Sequence, residues 1–409
     1  EIARILGRVR RYRGVRLAFW SGHSHGRYSG STWYADRFWH ELDARCVAHV
    51  NVDSTGGLGA VVNRHAYVMP EARAVVEAAV RAVAGGRFEG ARVGRMGDQS
   101  FLGIGIPSLL MDISEQPGDS PHASRDFSLF SGGDTGGLGW WWHTTEDTPD
   151  KIDPALLVRD CQIYLGVVYV LATAPVLPFD YGATARAWLQ ALQAVADGAG
   201  RWVDLRPALA EARRLARAAA ALRRRAAAVA RAGDRRAVRA CNQALMAMGR
   251  ALIPVDYTQS GRFDHDPALT PKDPPRLAAL RALAHASGDQ AKHLAVRAVR
   301  DPTGCGDAYQ AAFSVAWFQE GDLKKSNGGR SHGRLPGFVP FWRGLKPISS
   351  LFLFTFSRMA LHSGNLCFSL SINEVSASIL TLTCSRFCLF KKNARWRASF
   401  PNPISAPPC

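Results

Sequence analysis

Val15–Gly26 reads VRLAFWSGHSHG. An apolar run climbs to Trp20 and stops at Ser21-Gly22, and His23 and His25 then flank Ser24. A short apolar run closed by glycine has the pattern of a buried strand. The histidines would then stand at the carboxyl end of that strand, where open α/β sheets collect their ligands. The fold therefore turns on whether the neighbouring segments alternate helix and strand.

They do. Upstream, Ile2, Ile5, Leu6 and Val9 have helical spacing. Downstream, Trp33 to Leu42 is helical, and Cys46-Val47-Ala48-His49-Val50-Asn51-Val52-Asp53 is a second strand with a polar end. An Ala/Val helix spans roughly 70–85, Ile106 to Met111 is a strand, and a Gly/Ser/Asp-rich loop leads to a helix from Pro154 to Ala172. This alternation predicts an α/β domain with a largely parallel sheet over residues 1–178. Residues 179–300 read as all-helical. Leu215, Leu222 and Val229 recur every seven residues, with Ala219 and Ala226 between them. That spacing predicts an amphipathic helix of a bundle, with Arg223-Arg224-Arg225 on its solvated face. Asn242 to Ile253 is another helix, expected to end at Pro254. Residues 301–320 stand apart, and 321–409 carry the aromatic cluster Leu351–Phe354 followed by polar residues without a stable period, as in a non-native tail.

The chain has 409 residues, of which 47% are hydrophobic, enough for two globular domains. Fifty-one Lys and Arg against 34 Asp and Glu give a net charge of +17, carried mostly by arginine. Arginine and alanine together dominate the middle helices, and no basic patch is interleaved with aromatics, so no nucleic-acid partner is expected. The weakly charged stretch 359–390 is too polar for a membrane helix, and no targeting segment is seen, so no membrane association is expected and the compartment is left open. Eight cysteines without a CxxC pair indicate neither a zinc ribbon nor a disulfide framework. The first residues, Glu1-Ile2-Ala3-Arg4-Ile5-Leu6, run directly into a helix without an initiator Met or N-cap, and the chain is expected to be N-terminally truncated.

Three polar clusters fall where strands should end: His23-Ser24-His25, Asn51-Val52-Asp53, and His143-Thr144-Thr145-Glu146-Asp147-Thr148. Imidazole and carboxylate together form the ligand set expected for Zn²⁺. Singly, each cluster has a structural reading as well: a histidine packed in a core, or an aspartate capping the next helix. Trp140-Trp141-Trp142 is either a wall for an apolar side chain or ordinary packing. Ser131–Gly137 reads as a mobile loop on the substrate side.

In this order, the clusters resemble the family-28 metallopeptidases, a group that includes co-catalytic zinc aminopeptidases, glutamate carboxypeptidase and the catalytically dead transferrin receptor. The family pattern runs strand-W-S-[GA]-E-E-x-G-x-x-G-S, then N-[LM]-D, then S-D-H-x-x-F-x-x-x-G-I-P, then H-T-x-x-D-T-x-x-x-I-D. Here the chain has Phe19-Trp20-Ser21-Gly22-His23-Ser24-His25-Gly26 with Gly30-Ser31, then Asn51-Val52-Asp53. Gly97-Asp98-Gln99-Ser100-Phe101 precedes Gly105-Ile106-Pro107, and His143-Thr144-Thr145-Glu146-Asp147-Thr148 precedes Ile152-Asp153. Ala244 to Pro254 and Gly261 to Pro267 resemble the helical dimerisation domain of the transferrin-receptor-like branch.

The resemblance implies a three-layer α/β/α fold with a largely parallel mixed sheet, followed by a helical bundle that forms a homodimer. It implies a hydrolase active in proteolysis, with zinc as cofactor and a peptide or small amide as substrate. Two Zn²⁺ ions sharing a water would make hydroxide available near neutral pH. Carried over by position, Asp53 and His143 match zinc ligands, Asp98 a carboxylate behind the ligands, and Asp147 a group that orients His143. The chain departs from the pattern at the Glu-Glu pair. His23 stands at the general-base position and Ser24 at a ligand position, with His25 as a substitute imidazole ligand, and Gln99 replaces a His. The family's remaining His and bridging Asp have no counterpart here, which predicts an inactive site in this chain. The alternative is a non-catalytic, dimerising receptor-like or scaffold protein.

Asp301-Pro302-Thr303-Gly304-Cys305-Gly306-Asp307 resembles the signature of ribokinase-like sugar kinases, in which the last Asp is the base for the acceptor hydroxyl. Asp307 would hold that role, but no kinase core precedes it, and the stretch reads as an inert fused fragment.

Overall fold

The computed structural model describes residues 1–20, 28–94, 99–110, 112–124, 135–267 and 273–300, together with the backbone of 360–362 and 365–367. The chain divides into two compact units, 1–329 and 330–409. The second unit contributes one antiparallel hairpin, Ala360–His362 with Asn365–Cys367, in which Leu361 faces Leu366.

In the first unit, helices predominate over a two-stranded parallel sheet. The helices are α1 (Ile2–Leu6), α2 (Ser29–Arg37), α3 (Trp39–Arg45), α4 (Arg73–Val83) and α5 (Pro154–Thr173). They continue with α6 (Tyr181–Ala199), α7 (Arg206–Ala232), α8 (Arg235–Tyr257), α9 (Ala278–Ala284) and α10 (Gly288–Arg300). The sheet pairs β1 (His49–Val50) with β2 (Ser108–Leu109), His49 opposite Ser108 and Val50 opposite Leu109. Single bridges extend the pairing: Asp53 lies parallel to Asp112, Val68 antiparallel to Leu109, and Tyr67 parallel to Ala91. β2 is short for a local reason. Leu110 has φ 60, a left-handed conformation rare for a bulky residue, and it is fully buried with its N–H donated to the Tyr67 carbonyl at 2.7 Å.

Val15–Trp20 departs from the strand expected of it. The segment carries no strand pairing among the described residues, and Val15, Leu17 and Phe19 are exposed, Phe19 by 91%. Its entry is fixed elsewhere. Tyr12 and Arg13 donate their N–H groups to the Ala172 carbonyl, and the Arg13 guanidinium donates to the carbonyls of Leu171, Ala174 and Pro175. Arg16 then bonds the exposed Glu41 and the Tyr34 hydroxyl. These polar ties hold the run at the surface, beside the end of α5.

The helices begin where short polar side chains cap them. Asp153 accepts the N–H groups of Ala155 and Leu156, Asp180 that of Gly182, and Asp234 those of Arg236 and Ala237. α8 runs past the stop expected at Pro254. The helix continues through Pro254 to Tyr257, and the Thr258 N–H and hydroxyl both donate to the Pro254 carbonyl. α5 is the one described helix with the length and mean hydropathy (1.6) to cross a membrane, a feature the sequence reading did not single out. It also behaves as a core helix: Ile163, Tyr164, Val167 and Leu171 are buried in the main core.

That core does not stop near residue 178. Val76 and Leu109 share it with Tyr181, Leu215, Leu222, Leu245 and Leu252. A close approach lies at Gly105 of the G-I-P motif, whose φ is +84. A Cβ there would lie 2.5 Å from Cα of Arg250 and 2.7 Å from the Gly249 carbonyl oxygen. A Cβ on Gly249 would lie 2.5 Å from the Tyr181 hydroxyl and 3.0 Å from the Gly105 carbonyl oxygen. Side by side with this contact, Arg250 donates to the carbonyls of Gly105 (2.8 Å), Asp43 (2.9 Å), Leu42 (3.1 Å) and Cys46 (2.6 Å), closing the end of α3. Next to it, Arg92 pairs with Asp256 at 3.2 Å and lies over the Tyr257 ring.

Glu71 is buried in the same junction. Its Oε2 accepts the Thr184 hydroxyl at 2.7 Å, while Oε1 has no hydrogen-bond partner. Burial pushes its pKa up from 4.5 to about 7, assisted by the charge of Asp256 and opposed by the Thr184 hydrogen bond and Arg92.

Two outcomes follow for stability. Gly105→Ala meets both backbone overlap and a strained φ, and denaturant unfolding should show a loss of at least about 2 kcal/mol, against less than about 0.5 kcal/mol for Leu17→Ala on the exposed run. The folded state holds the Glu71 proton more tightly than the unfolded chain does. Its contribution to stability is therefore present below pH 4.5 and lost as the pH rises to about 7. Glu71→Gln should flatten that decline, worth about 3 kcal/mol by linkage, in unfolding midpoints measured from pH 4 to 8.

Candidate functional site

Of the residues singled out by sequence, His23, His25, Asp98 and Asp307 lie outside the described residues, as does Ser24. Asp53, His143 and Asp147 are described.

Asp53 follows β1 and stands beside Asp112, its partner in the parallel bridge. It is half-buried, its Oδ1 accepts the Ser54 hydroxyl at 3.1 Å, and its main chain hydrogen-bonds the Tyr164 hydroxyl. Asp112 is nearly enclosed, at 3% exposure, and neither of its carboxylate oxygens finds a hydrogen bond. Burial, with the charges of Glu115 and Asp53, pushes its pKa from 3.8 up to about 8. At neutral pH Asp112 is therefore a carboxylic acid, able to donate a proton or a hydrogen bond. Glu115, also buried, places Oε2 3.6 Å from Nδ1 of His65. The surrounding polar groups are incompletely matched. Asn51 Nδ2 and Gln99 Oε1 are buried without partners, and Gln99, at the position of the family's His, donates Nε2 to the Leu110 carbonyl at 3.4 Å.

One buried charge organises the loop after β1. Asp160, on α5, accepts the Gly56 N–H at 2.9 Å and the Ser114 hydroxyl at 2.6 Å on Oδ2. Its Oδ1 takes Nε and Nη2 of Arg159, whose Nη2 also donates to the Ala60 carbonyl. Gly56, with φ +70, abuts α5 so closely that a Cβ would lie 2.6 Å from Cβ of Leu157. Asp160 thus ties the loop carrying Asp53 and the strand end carrying Asp112 to the same helix.

His143 lies in a series of tight turns in which Trp142 bonds back to Gly139, Thr144 to Trp141 and Thr148 to Glu146. Its φ is 62, its side chain is exposed, and its ring stacks on Trp142 at 3.5 Å and 16°. Trp141 beside it is buried, with the His122 ring 5.3 Å away. Asp147 is exposed and its main-chain N–H bonds the Thr144 carbonyl, with no hydrogen bond from its carboxylate to His143. The backbone at His143 is thus left-handed and its imidazole lies flat on the Trp142 indole.

Among the described residues, no three His, Cys, Asp or Glu side chains converge as metal ligands. Cys46, Cys161 and Cys241 are free thiols. No protein-family profile matches the chain, and no curated protein matches it significantly.

Asp112, Glu115 and Asp160 were not singled out by sequence. Asp160 left a signal: it falls on the buried face of α5 with Ile163, Tyr164 and Val167, where a lone carboxylate requires partners. Asp160→Ala leaves the Gly56 amide, Ser114 and Arg159 unmatched and should cost about 3–5 kcal/mol in denaturant unfolding. His143→Ala, at an exposed position, should cost less than about 0.5 kcal/mol in the same measurement.

Proposed function

We propose that this chain derives from the zinc exopeptidases of metallopeptidase family 28, in a form whose hydrolytic site is degenerate. The architecture that goes with this reading is a three-layer α/β/α domain around a largely parallel mixed sheet. The parent activity is zinc-dependent hydrolysis of a peptide or small amide bond. The single observation that carries the reading is the meeting of two motifs. Asn51-Val52-Asp53 and the strand after Gly105-Ile106-Pro107 run parallel as neighbours, with Asp53 at the carboxyl end of β1, which supports reading Asp53 as a ligand position. Degeneracy is supported by His23-Ser24 in place of Glu-Glu, since a serine hydroxyl is a poor zinc ligand beside the carboxylate it would replace.

A second reading, a non-catalytic dimerising receptor-like or scaffold protein, is favoured by one feature. Gly249 and Arg250, which join α8 to the rest of the unit, lie in the segment resembling the transferrin-receptor dimerisation domain.

After equilibration with micromolar zinc and gel filtration, metal analysis should find less than about a tenth of an equivalent bound, and aminoacyl p-nitroanilides should not be hydrolysed. One or more equivalents together with hydrolysis would overturn the degenerate-site reading. Sedimentation equilibrium separates the second reading, which requires a dimer at micromolar concentration.

A further inference from the structure

The sequence reads Arg223-Arg224-Arg225 as a solvated face, but the full length of α7 gives it another meaning. Arg206, Arg213, Arg217, Arg224 and Arg231 are spaced 7, 4, 7 and 7 residues apart. At about 100° per residue they fall within about 40° of arc, in one line about 37 Å long. All five are exposed, and the opposite side of the helix, Leu209, Ala212, Leu215, Ala219, Leu222 and Ala226, is buried. Arg225 lies to one side of the line, and Arg235, Arg236 and Arg239 continue the charge past the Gly233 turn.

Carboxylates are nearly absent here. Between 206 and 239 there are only Glu211 and Asp234. Glu211 points half-buried from another side and takes Arg214, while Asp234 is occupied in capping α8. Arg206 pairs with Asp204, and Arg223 with Asp180. Arg217, Arg224, Arg225, Arg231, Arg235, Arg236 and Arg239 have no carboxylate partner among the described residues. Arg213 bonds only the neutral Gln193.

We propose that this face of α7 is a docking surface for the phosphate backbone of double-stranded nucleic acid. A row of guanidinium groups, four of the five without a carboxylate partner among the described residues, complements a rigid polymer with closely spaced negative charge, and Arg presents a fork that matches phosphate. The row is as long as about one turn of a B-form duplex. No aromatic side chain interrupts it, so nothing on it stacks with bases, and recognition is of backbone, not sequence. An anionic membrane fits less well, because the apolar face that would enter the bilayer is consumed by the core.

Fluorescence anisotropy on the full chain, with two 20-base-pair duplexes of unrelated sequence, tests this directly. Both should bind with equal micromolar affinity at about 0.1 M salt, and log K should fall against log salt with a slope of about −3.6 for four phosphate contacts. The variant R217Q/R224Q/R231Q should reduce that slope by about 2.7. The control R37Q/R81Q/R87Q removes the same charge from exposed sites elsewhere and should leave affinity within about twofold. The proposal is overturned if both variants weaken binding equally, if neither duplex binds, or if phosphatidylserine vesicles bind while the duplexes do not. Circular dichroism of both variants shows whether α7 is intact, and a stripe variant that keeps its helicity and its full salt slope also overturns it.

Discussion

The first unit depends on one close approach, Gly105 against Gly249. Neither position has room for a Cβ, and only because both are glycine can the loop leading into β2 touch the backbone of α8. Arg250, next in sequence to Gly249, uses that proximity. Its guanidinium reaches four carbonyls, three of them at the end of α3, groups that a helix terminus otherwise leaves to water. One contact thus sets the distance between the sheet and the helices, and one side chain saturates the polar groups that the contact buries.

The carboxyl groups near the sheet follow from that burial. Asp160 is fully enclosed yet matched by an amide, a hydroxyl and a guanidinium. Asp112, equally enclosed, is matched by none and retains its proton instead. The two outcomes are the two ways a buried acid can avoid an uncompensated charge. They give the loop around Asp53 opposite properties on its two sides: a fixed charge that holds it in place, and a neutral acid that can exchange a proton.

The helical half of the fold was the most legible. The seven-residue recurrence of Leu215 and Leu222, the capping aspartates and the Gly233 terminus are local signals, and α7 and α8 follow from them. The end of α8 was less legible: the helix runs through Pro254 to Tyr257, where Thr258 closes it on the Pro254 carbonyl. The sheet was less legible. Val15–Trp20 has the apolar content of a strand, but Arg13 and Arg16 bind it to α5 and α3 at the surface. An apolar run states a preference for burial and says nothing of which edge is free to receive it.

At the candidate site, sequence alone showed the order of the polar clusters and that Asp53 falls at the polar end of a strand pattern. It also showed His23-Ser24-His25 directly after Trp20-Ser21-Gly22, since side-chain chemistry is written in the residue itself. Only the tertiary structure decided that Asp112 meets Asp53, that Asp160 anchors the loop between them, and that His143 rests on Trp142. It also decided that the arginines of α7 stand clear of carboxylates. Protonation, pairing and exposure depend on neighbours distant in the chain, and those neighbours are set by how the elements pack.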